Sequence, residues 1–155
     1  MAVPLVGIVM GSISDEERMA PAGAILEKFG VPFDQRVISA HRNPGLLSDY
    51  AAEVEERGIA VIIAGAGKAA ALPGLLAAHT VVPVIGVPIY GKHVSGLDSL
   101  LSIVQMPSGV PVATVGLDAA ANAAVLAVQM LALSNPDLRR ALWEFKEQLA
   151  EGLRF

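Results

Sequence analysis

A histidine, an arginine and a serine stand together in the segment 39–42, directly after an apolar-rich stretch of the chain. The unperturbed pKa of a histidine side chain lies near neutral pH, so His41 can take up and release protons. The planar, permanently charged guanidinium of Arg42 suits a phosphate or a carboxylate. A loop with both groups can hold an anionic substrate and perform acid–base chemistry on it. The structural alternative is a packed histidine beside a solvated arginine, and the segment alone is compatible with both.

A second polar group, Gly11-Ser12-Ile13-Ser14-Asp15, follows the first apolar run and precedes a helical pattern. Gly11 permits a tight turn, and the free N–H groups at a helix start can bind a phosphate. Ser12 and Ser14 add hydroxyl donors, and Asp15 can accept hydrogen bonds from sugar hydroxyls. A plain helix cap is the structural alternative.

A third candidate loop is the small-residue run 64–74, which reads AGAGKAAALPG. Small residues let a ligand approach the backbone closely. The run is not a Walker motif, because the required spacing and the Ser or Thr after the lysine are missing, and no dinucleotide-binding fingerprint is complete. On its own this loop is weak evidence for a binding site.

Apolar β-branched runs alternate with longer helical patterns along the chain, which predicts alternating strands and helices with a second helix at the end. The predicted strands are 3–10, 32–39, 59–64, 81–88 and 110–115. The predicted helices are 15–29, 44–57, 69–79, 95–105, 118–133 and 136–152. Their predicted starts are Ser14 with Glu17 in a capping box, Asn43 before Pro44, Asp118, and Asn135 before Pro136.

Strands that are nearly all apolar indicate a parallel sheet covered by helices on both faces. The fold class expected is therefore α/β: a three-layer, flavodoxin-like, doubly wound sheet of five parallel strands in a single domain, 1–155. Ligands of such sheets bind beyond the carboxyl ends of the strands. The three polar loops all follow strands, so they are expected to meet at one edge and form a site.

Composition narrows the function classes further. The chain is 54% hydrophobic and 17% charged, with a mean hydropathy of +0.56, which is high for 155 residues and favours burial of surface between subunits. The last predicted helix carries an apolar stripe, so we expect it to take part in oligomer contacts. No apolar run is long enough for a membrane span, and a net charge of −4 gives no support for nucleic-acid binding.

Metal and thiol chemistry are not expected. The chain has no cysteine, which excludes thiolate nucleophiles and disulfides. Its three histidines, His41, His79 and His93, do not have metal-ligand spacing, so no metal site is predicted. A role at a helix end or an interface is expected for His79, and a solvated loop position for His93.

Several ordered motifs resemble the PurE family of purine biosynthesis over residues 5 to 133. They are GSISD at 11–15, SAHR at 39–42 with Pro44, AGAG at 64–67, LPG at 72–74, GLDSL at 96–100, SIVQMP at 102–107, GVPVA at 109–113 and NAA at 122–124. The resemblance implies a flavodoxin-like octamer in the cytoplasm that needs no metal, biotin or nucleotide cofactor. It also implies N5-carboxyaminoimidazole ribonucleotide mutase activity, which moves a carboxylate from N5 to C4 with CO2 as the intermediate.

The resemblance also implies roles for individual residues. His41 would be the catalytic proton shuttle. Ser12, Ser14 and Asp15 would hold phosphate and ribose, and Ser39 and Arg42 would bind the phosphate side. The full implied set of substrate-binding residues is Gly11, Ser12, Ser14, Asp15, Ser39, Ala40, Arg42, Gly65, Ala66, Gly67, Lys68, Ala71 and Leu72.

The third loop departs from the family pattern, because Lys68 stands where a glycine is usual and Ala71 where a histidine is usual. Three hypotheses follow. The first is the mutase with an altered pocket. The second is a divergent carboxylase or decarboxylase that acts on aminoimidazole ribonucleotide with CO2, or on another phosphorylated heterocycle. The third is a non-catalytic nucleotide-binding oligomer.

Overall fold

A computed structural model describes residues 5–155 and contains one sheet of five parallel strands in the order β2-β1-β3-β4-β5. The strands are β1 (Val6–Met10), β2 (Phe33–Val37), β3 (Val61–Gly67), β4 (Val84–Ile89) and β5 (Ala113–Thr114). Every residue of β1 and β4 is buried, as expected for strands covered on both faces. The α/β fold with five parallel strands is confirmed.

Six α-helices connect and cover the strands. They are α1 (Glu16–Lys28), α2 (Pro44–Glu53), α3 (Leu72–His79), α4 (Leu97–Val104), α5 (Ala120–Leu131) and α6 (Pro136–Ala150), and a 3-10 turn at Ile13–Asp15 precedes α1. No helix within residues 5–155 is both long and apolar enough to cross a membrane.

The two faces of the sheet carry separate hydrophobic cores. On one face, α1, α5 and α6 pack over residues such as Val6, Ile8 and Ile63. On the other face, α2, α3 and α4 pack over Val9, Ile62 and their neighbours. Successive residues of β1 therefore point into different cores, which fixes the strand register from both sides and holds the loops at the strand ends in place.

Several element boundaries differ from the predictions. β5 is only two residues long, and α3 begins at Leu72 instead of residue 69. Pro73 lies in the first turn of α3, where its missing N–H costs no helical hydrogen bond, so it starts this helix and does not interrupt it. Residues 3 and 4 of the first predicted strand lie outside the described part of the chain.

Two of the predicted helix caps are wrong. Asp15, not Ser14, is the N-cap residue of α1, and its side chain makes no capping hydrogen bond. Ala119 is the N-cap residue of α5, while Asp118 has a φ of +53° and turns its carboxylate to other partners. The other two predictions are confirmed, because the side chains of Asn43 and Asn135 accept backbone N–H bonds at the starts of α2 and α6.

Candidate active site

The loops after β1, β2 and β3 enclose a cavity of about 370 Å³ at the carboxyl edge of the sheet. Its lining residues are Gly11, Ser12, Ser14, Asp15, Ser39, Ala40, His41, Arg42, Ala66, Gly67, Lys68, Ala69, Ala71 and Leu72. Every residue expected in the site lines this cavity except Gly65, and Ala69 is the one addition. The cavity lies within the size range of small-molecule sites.

The loop after β1 turns its polar groups toward each other and toward the cavity. The Ser12 hydroxyl oxygen accepts hydrogen bonds from the Ser14 backbone N–H (3.3 Å) and from the Ser14 hydroxyl (2.9 Å). Asp15 is partly buried, and this desolvation raises the pKa of its carboxyl group, against the opposing effects of the Ser12 hydrogen bond and the nearby charge of Arg18. The loop therefore offers two hydroxyls and a carboxylate whose charged form is poorly solvated.

Local hydrogen bonds fix the backbone of the loop after β2, while the side chains of His41 and Arg42 in this loop are not engaged by other residues of the described chain. The Ser39 hydroxyl accepts from the Arg42 N–H (3.3 Å), and the Ser39 carbonyl accepts from the Asn43 N–H (2.8 Å). The side chains of His41 and Arg42 are exposed and make no hydrogen bond or ion pair with any residue from 5 to 155. Both are positioned by the backbone and free to contact a ligand in the cavity.

Gly65 was expected to line the cavity but lies buried behind its wall. Its carbonyl accepts the Gly11 N–H (3.1 Å), which ties the first and third loops together. A Cβ atom on Gly65 would overlap the side chain of buried Met19, so this position needs glycine for packing against α1. The residue shapes the site through its backbone and does not line the cavity.

The other two histidines lie outside the cavity. His79 ends α3, where its Nδ1 lies 2.7 Å from the Leu75 carbonyl oxygen, in keeping with the helix-end role expected for it. His93 is exposed in the loop after β4. Within the described residues, no three histidine, aspartate or glutamate side chains come together in a way that could hold a metal ion.

Comparison with known proteins identifies the family. The model of the family described as AIR carboxylase matches residues 5–152, nearly the whole chain. The chain belongs to the AIR carboxylase family. The curated relatives are consistent with this: the chain is 56% identical to an N5-carboxyaminoimidazole ribonucleotide mutase of Pyrococcus abyssi over 96% of this chain and 86% of that protein. It is also 56% identical to the protein of the same name from Bacillus subtilis, over 93% of this chain and 90% of that one.

Two solved structures have a similar fold. The chain superposes on a crystal structure of Treponema denticola PurE with a TM-score of 0.87 at 29% identity, covering 96% of this chain and 92% of that one. A crystal structure of a variant of Treponema denticola PurE2 gives a TM-score of 0.88 at 27% identity, with coverage of 97% and 93%.

One polar network beside this AIR carboxylase-type cavity was missed by sequence reasoning. The Asp118 carboxylate pairs with Arg18 and accepts the Tyr90 N–H (2.9 Å), while the Arg18 guanidinium lies 5.8 Å from the centre of the Tyr90 ring. The charges of Arg18 and Asp118 act in opposite directions on the pKa of Asp15. Arg18 and Asp118 are 100 positions apart, so no local spacing could have revealed the pair.

Proposed function

We propose that this chain is an N5-carboxyaminoimidazole ribonucleotide mutase of de novo purine biosynthesis. The observation that carries the proposal is the position of His41 beside Arg42 in the cavity of a chain more than half identical to curated mutases. A histidine can transfer the protons that the reaction needs, and the guanidinium can hold an anionic ribonucleotide.

The reaction moves one carboxyl group between two atoms of the substrate. His41 donates a proton to N5 of the carbamate, the bond from N5 to the carboxyl carbon breaks, and CO2 is released. The electron-rich C4 then attacks CO2, and His41 removes the C4 proton. The proton given to N5 stays on that nitrogen, and the proton removed from C4 replaces it on His41, so the histidine is regenerated and no other proton donor is needed.

A cavity that keeps CO2 close to C4 makes the second step effectively intramolecular. Apart from Lys68, the lining residues of the third loop are small and have no polar side-chain group, since they are Ala66, Gly67, Ala69 and Ala71. These walls suit a neutral, apolar intermediate such as CO2. The proposed sequence of steps requires no metal or organic cofactor.

The remaining lining residues receive the roles that their chemistry allows. Ser12, Ser14 and Asp15 would hold the ribose and part of the phosphate, and Ser39 and Arg42 would bind the phosphate. The backbone of Ala40 and of residues 66–67 would contact the base and the migrating carboxyl group, with Leu72 closing the wall.

Self-association, expected as a cytoplasmic octamer, is part of the same proposal. Exposed apolar side chains form a stripe along α4 at helical spacing, made by Leu97, Leu101 and Val104. Leu75 of α3 and Trp143 of α6 are also exposed. Apolar surface of this extent is typical of faces buried between subunits and supports roles for α4 and α6 in oligomer contacts.

The direct test is an assay with N5-carboxyaminoimidazole ribonucleotide in which the C4-carboxylated product is measured. We expect turnover that needs no added metal. No product at high enzyme concentration would refute the mutase. Parallel reactions with aminoimidazole ribonucleotide and CO2 test the divergent carboxylase, for which Lys68 and Ala71 in the third loop give the specific reason. Ribonucleotide binding with no turnover of either substrate would favour the non-catalytic alternative.

A further inference from the structure

Lys68 holds a backbone conformation that favours glycine. Its φ is +56°, and among the cavity-lining residues of the described chain it is the only non-glycine residue with a positive φ. In this region the Cβ of an L-residue crowds the following carbonyl oxygen, whereas glycine adopts the conformation freely. Backbone strain of this kind is found at functional sites, where the side chain gives a benefit that offsets the cost.

The Lys68 ammonium group makes no ion pair or side-chain hydrogen bond with the described residues. The side chain is exposed on the cavity wall, and no carboxylate within residues 5–155 lies within 4.0 Å of the ammonium nitrogen. Its neighbours on the loop are glycine and alanine, which carry no side-chain hydrogen-bonding group. The cation therefore lines the cavity without an ion-pair partner among the described residues, although the Asp15 carboxylate lines the same cavity.

The sheet separates Lys68 from the other cation of the cavity. Arg42 follows β2 and Lys68 follows β3, and these two strands flank β1. With neighbouring strands about 4.8 Å apart, the two loops leave the sheet about 10 Å from each other. The loop after β2 also carries the Ser39 hydroxyl, and the loop after β1, which lies between the two, carries those of Ser12 and Ser14. These hydroxyls suit a phosphate, whereas the loop after β3 has no hydroxyl.

We propose that the Lys68 ammonium group binds the migrating carboxylate, at the end of the substrate opposite to the phosphate. This inference rests on the proposed mutase function, since that substrate carries a phosphate at one end and a carboxylate near the other. The ammonium contacts the carboxylate on N5 and again on C4, so it strengthens the binding of substrate and product alike. Such uniform binding lowers KM more than it raises kcat.

Two Lys68 variants and one control separate the effect of the Lys68 charge on ligand binding from the effect of its backbone strain on stability. Lys68→Met keeps the length of the side chain and the strain but removes the charge, and Lys68→Gly removes both. Lys28→Met is the control, because Lys28 lies in the last turn of α1, at the opposite edge of the sheet. Calorimetric titration with the C4-carboxylated product and with aminoimidazole ribonucleotide measures the carboxylate preference. Steady-state kinetics and thermal unfolding complete the set.

Both Lys68 variants are expected to weaken binding of the carboxylated product about tenfold or more, with less than about a twofold change for aminoimidazole ribonucleotide, since a charge-assisted hydrogen bond is lost. KM for the mutase substrate rises by a similar factor, while kcat changes much less. Lys68→Gly also raises the unfolding midpoint by about 2–4 °C, whereas Lys68→Met does not. Lys28→Met leaves both affinities unchanged.

Equal losses for both ligands would mean that Lys68 meets the phosphate and would overturn the proposal, as would unchanged affinity for the carboxylated product. Failure of the mutase function itself is a different result. It appears as absence of turnover in the unaltered protein, whereas the role of Lys68 is read from the ratio of the two affinities.

Discussion

The substitution Gly7→Ala in the core should destabilise the protein when the Tyr50 hydroxyl oxygen is present and stabilise it when that oxygen is removed. Gly7 lies in the middle of buried β1, and a Cβ at this position would overlap the Tyr50 hydroxyl oxygen, well inside 3.0 Å. The next atom, Tyr50 Cζ, would be 3.4 Å away, which is ordinary van der Waals contact. Tyr50→Phe removes only the oxygen, so it converts the clash into a normal contact.

The expected free energies follow from these distances. Overpacking a core costs about 1–3 kcal/mol, while alanine in a strand gains roughly 0.5–1 kcal/mol over glycine. Gly7→Ala should therefore destabilise the protein by about 1–2 kcal/mol with Tyr50 present and stabilise it slightly in the Tyr50→Phe background. Tyr50→Phe alone should cost little, because the buried hydroxyl has no hydrogen-bond partner among the described residues. The coupling between the two sites is then about 2 kcal/mol.

The assay is urea unfolding of the four proteins of the cycle, followed by far-ultraviolet circular dichroism at one fixed protomer concentration, because the proposed self-association would contribute to the apparent stability. Gly91→Ala is the matched control, since no atom lies within 4 Å of its added Cβ, and its effect should not depend on Tyr50. If Gly7→Ala were equally destabilising in the unaltered protein and in the Tyr50→Phe background, the clash would not be the cause.

Three further changes test the site and the assembly. His41→Asn should reduce turnover by at least about 100-fold without changing the sedimentation coefficient, and near-normal turnover would remove His41 from the mechanism. Burial raises the pKa of Asp15 in the folded protein, so Asp15→Asn should raise the unfolding midpoint at pH 7. This gain in midpoint should shrink as the pH falls through the raised pKa toward 3.8, because the carboxyl group then becomes neutral in both states. A gain that grew on acidification would contradict burial as the cause. Leu101→Lys on α4 should dissociate the oligomer in sedimentation velocity, and an unchanged assembly would exclude this face.

The sequence predicted the parts of the fold that depend on local patterns. The apolar runs of β1, β3 and β4 are buried on both sides, so composition alone identifies them as parallel strands. Because ligands of such sheets bind at the carboxyl edge, the same reasoning located the cavity. The length of β5 was overestimated, since the apolar run 110–115 resembles a strand whether or not it pairs along its whole length.

The features of the site that residue types did not reveal have long-range causes. The role of Gly65 depends on Met19, which approaches from another helix, and the side chain of Asp118 is drawn from its cap position by Arg18 and Tyr90. The strain at Lys68 is a backbone torsion that residue types do not reveal. In each case the contact or backbone angle that determines the role of the residue forms only when the chain folds.

All the side chains that line the cavity come from the first half of the chain, because the last of them is Leu72. The second half contributes β4, β5 and three helices, and the exposed apolar stripe of α4 lies there as well. The contact faces proposed on α4 and α6 therefore lie in the second half of the chain, apart from every lining side chain. Substitutions in α4 or α6 are expected to alter the proposed self-association without replacing a lining side chain, so the two proposed properties can be varied one at a time.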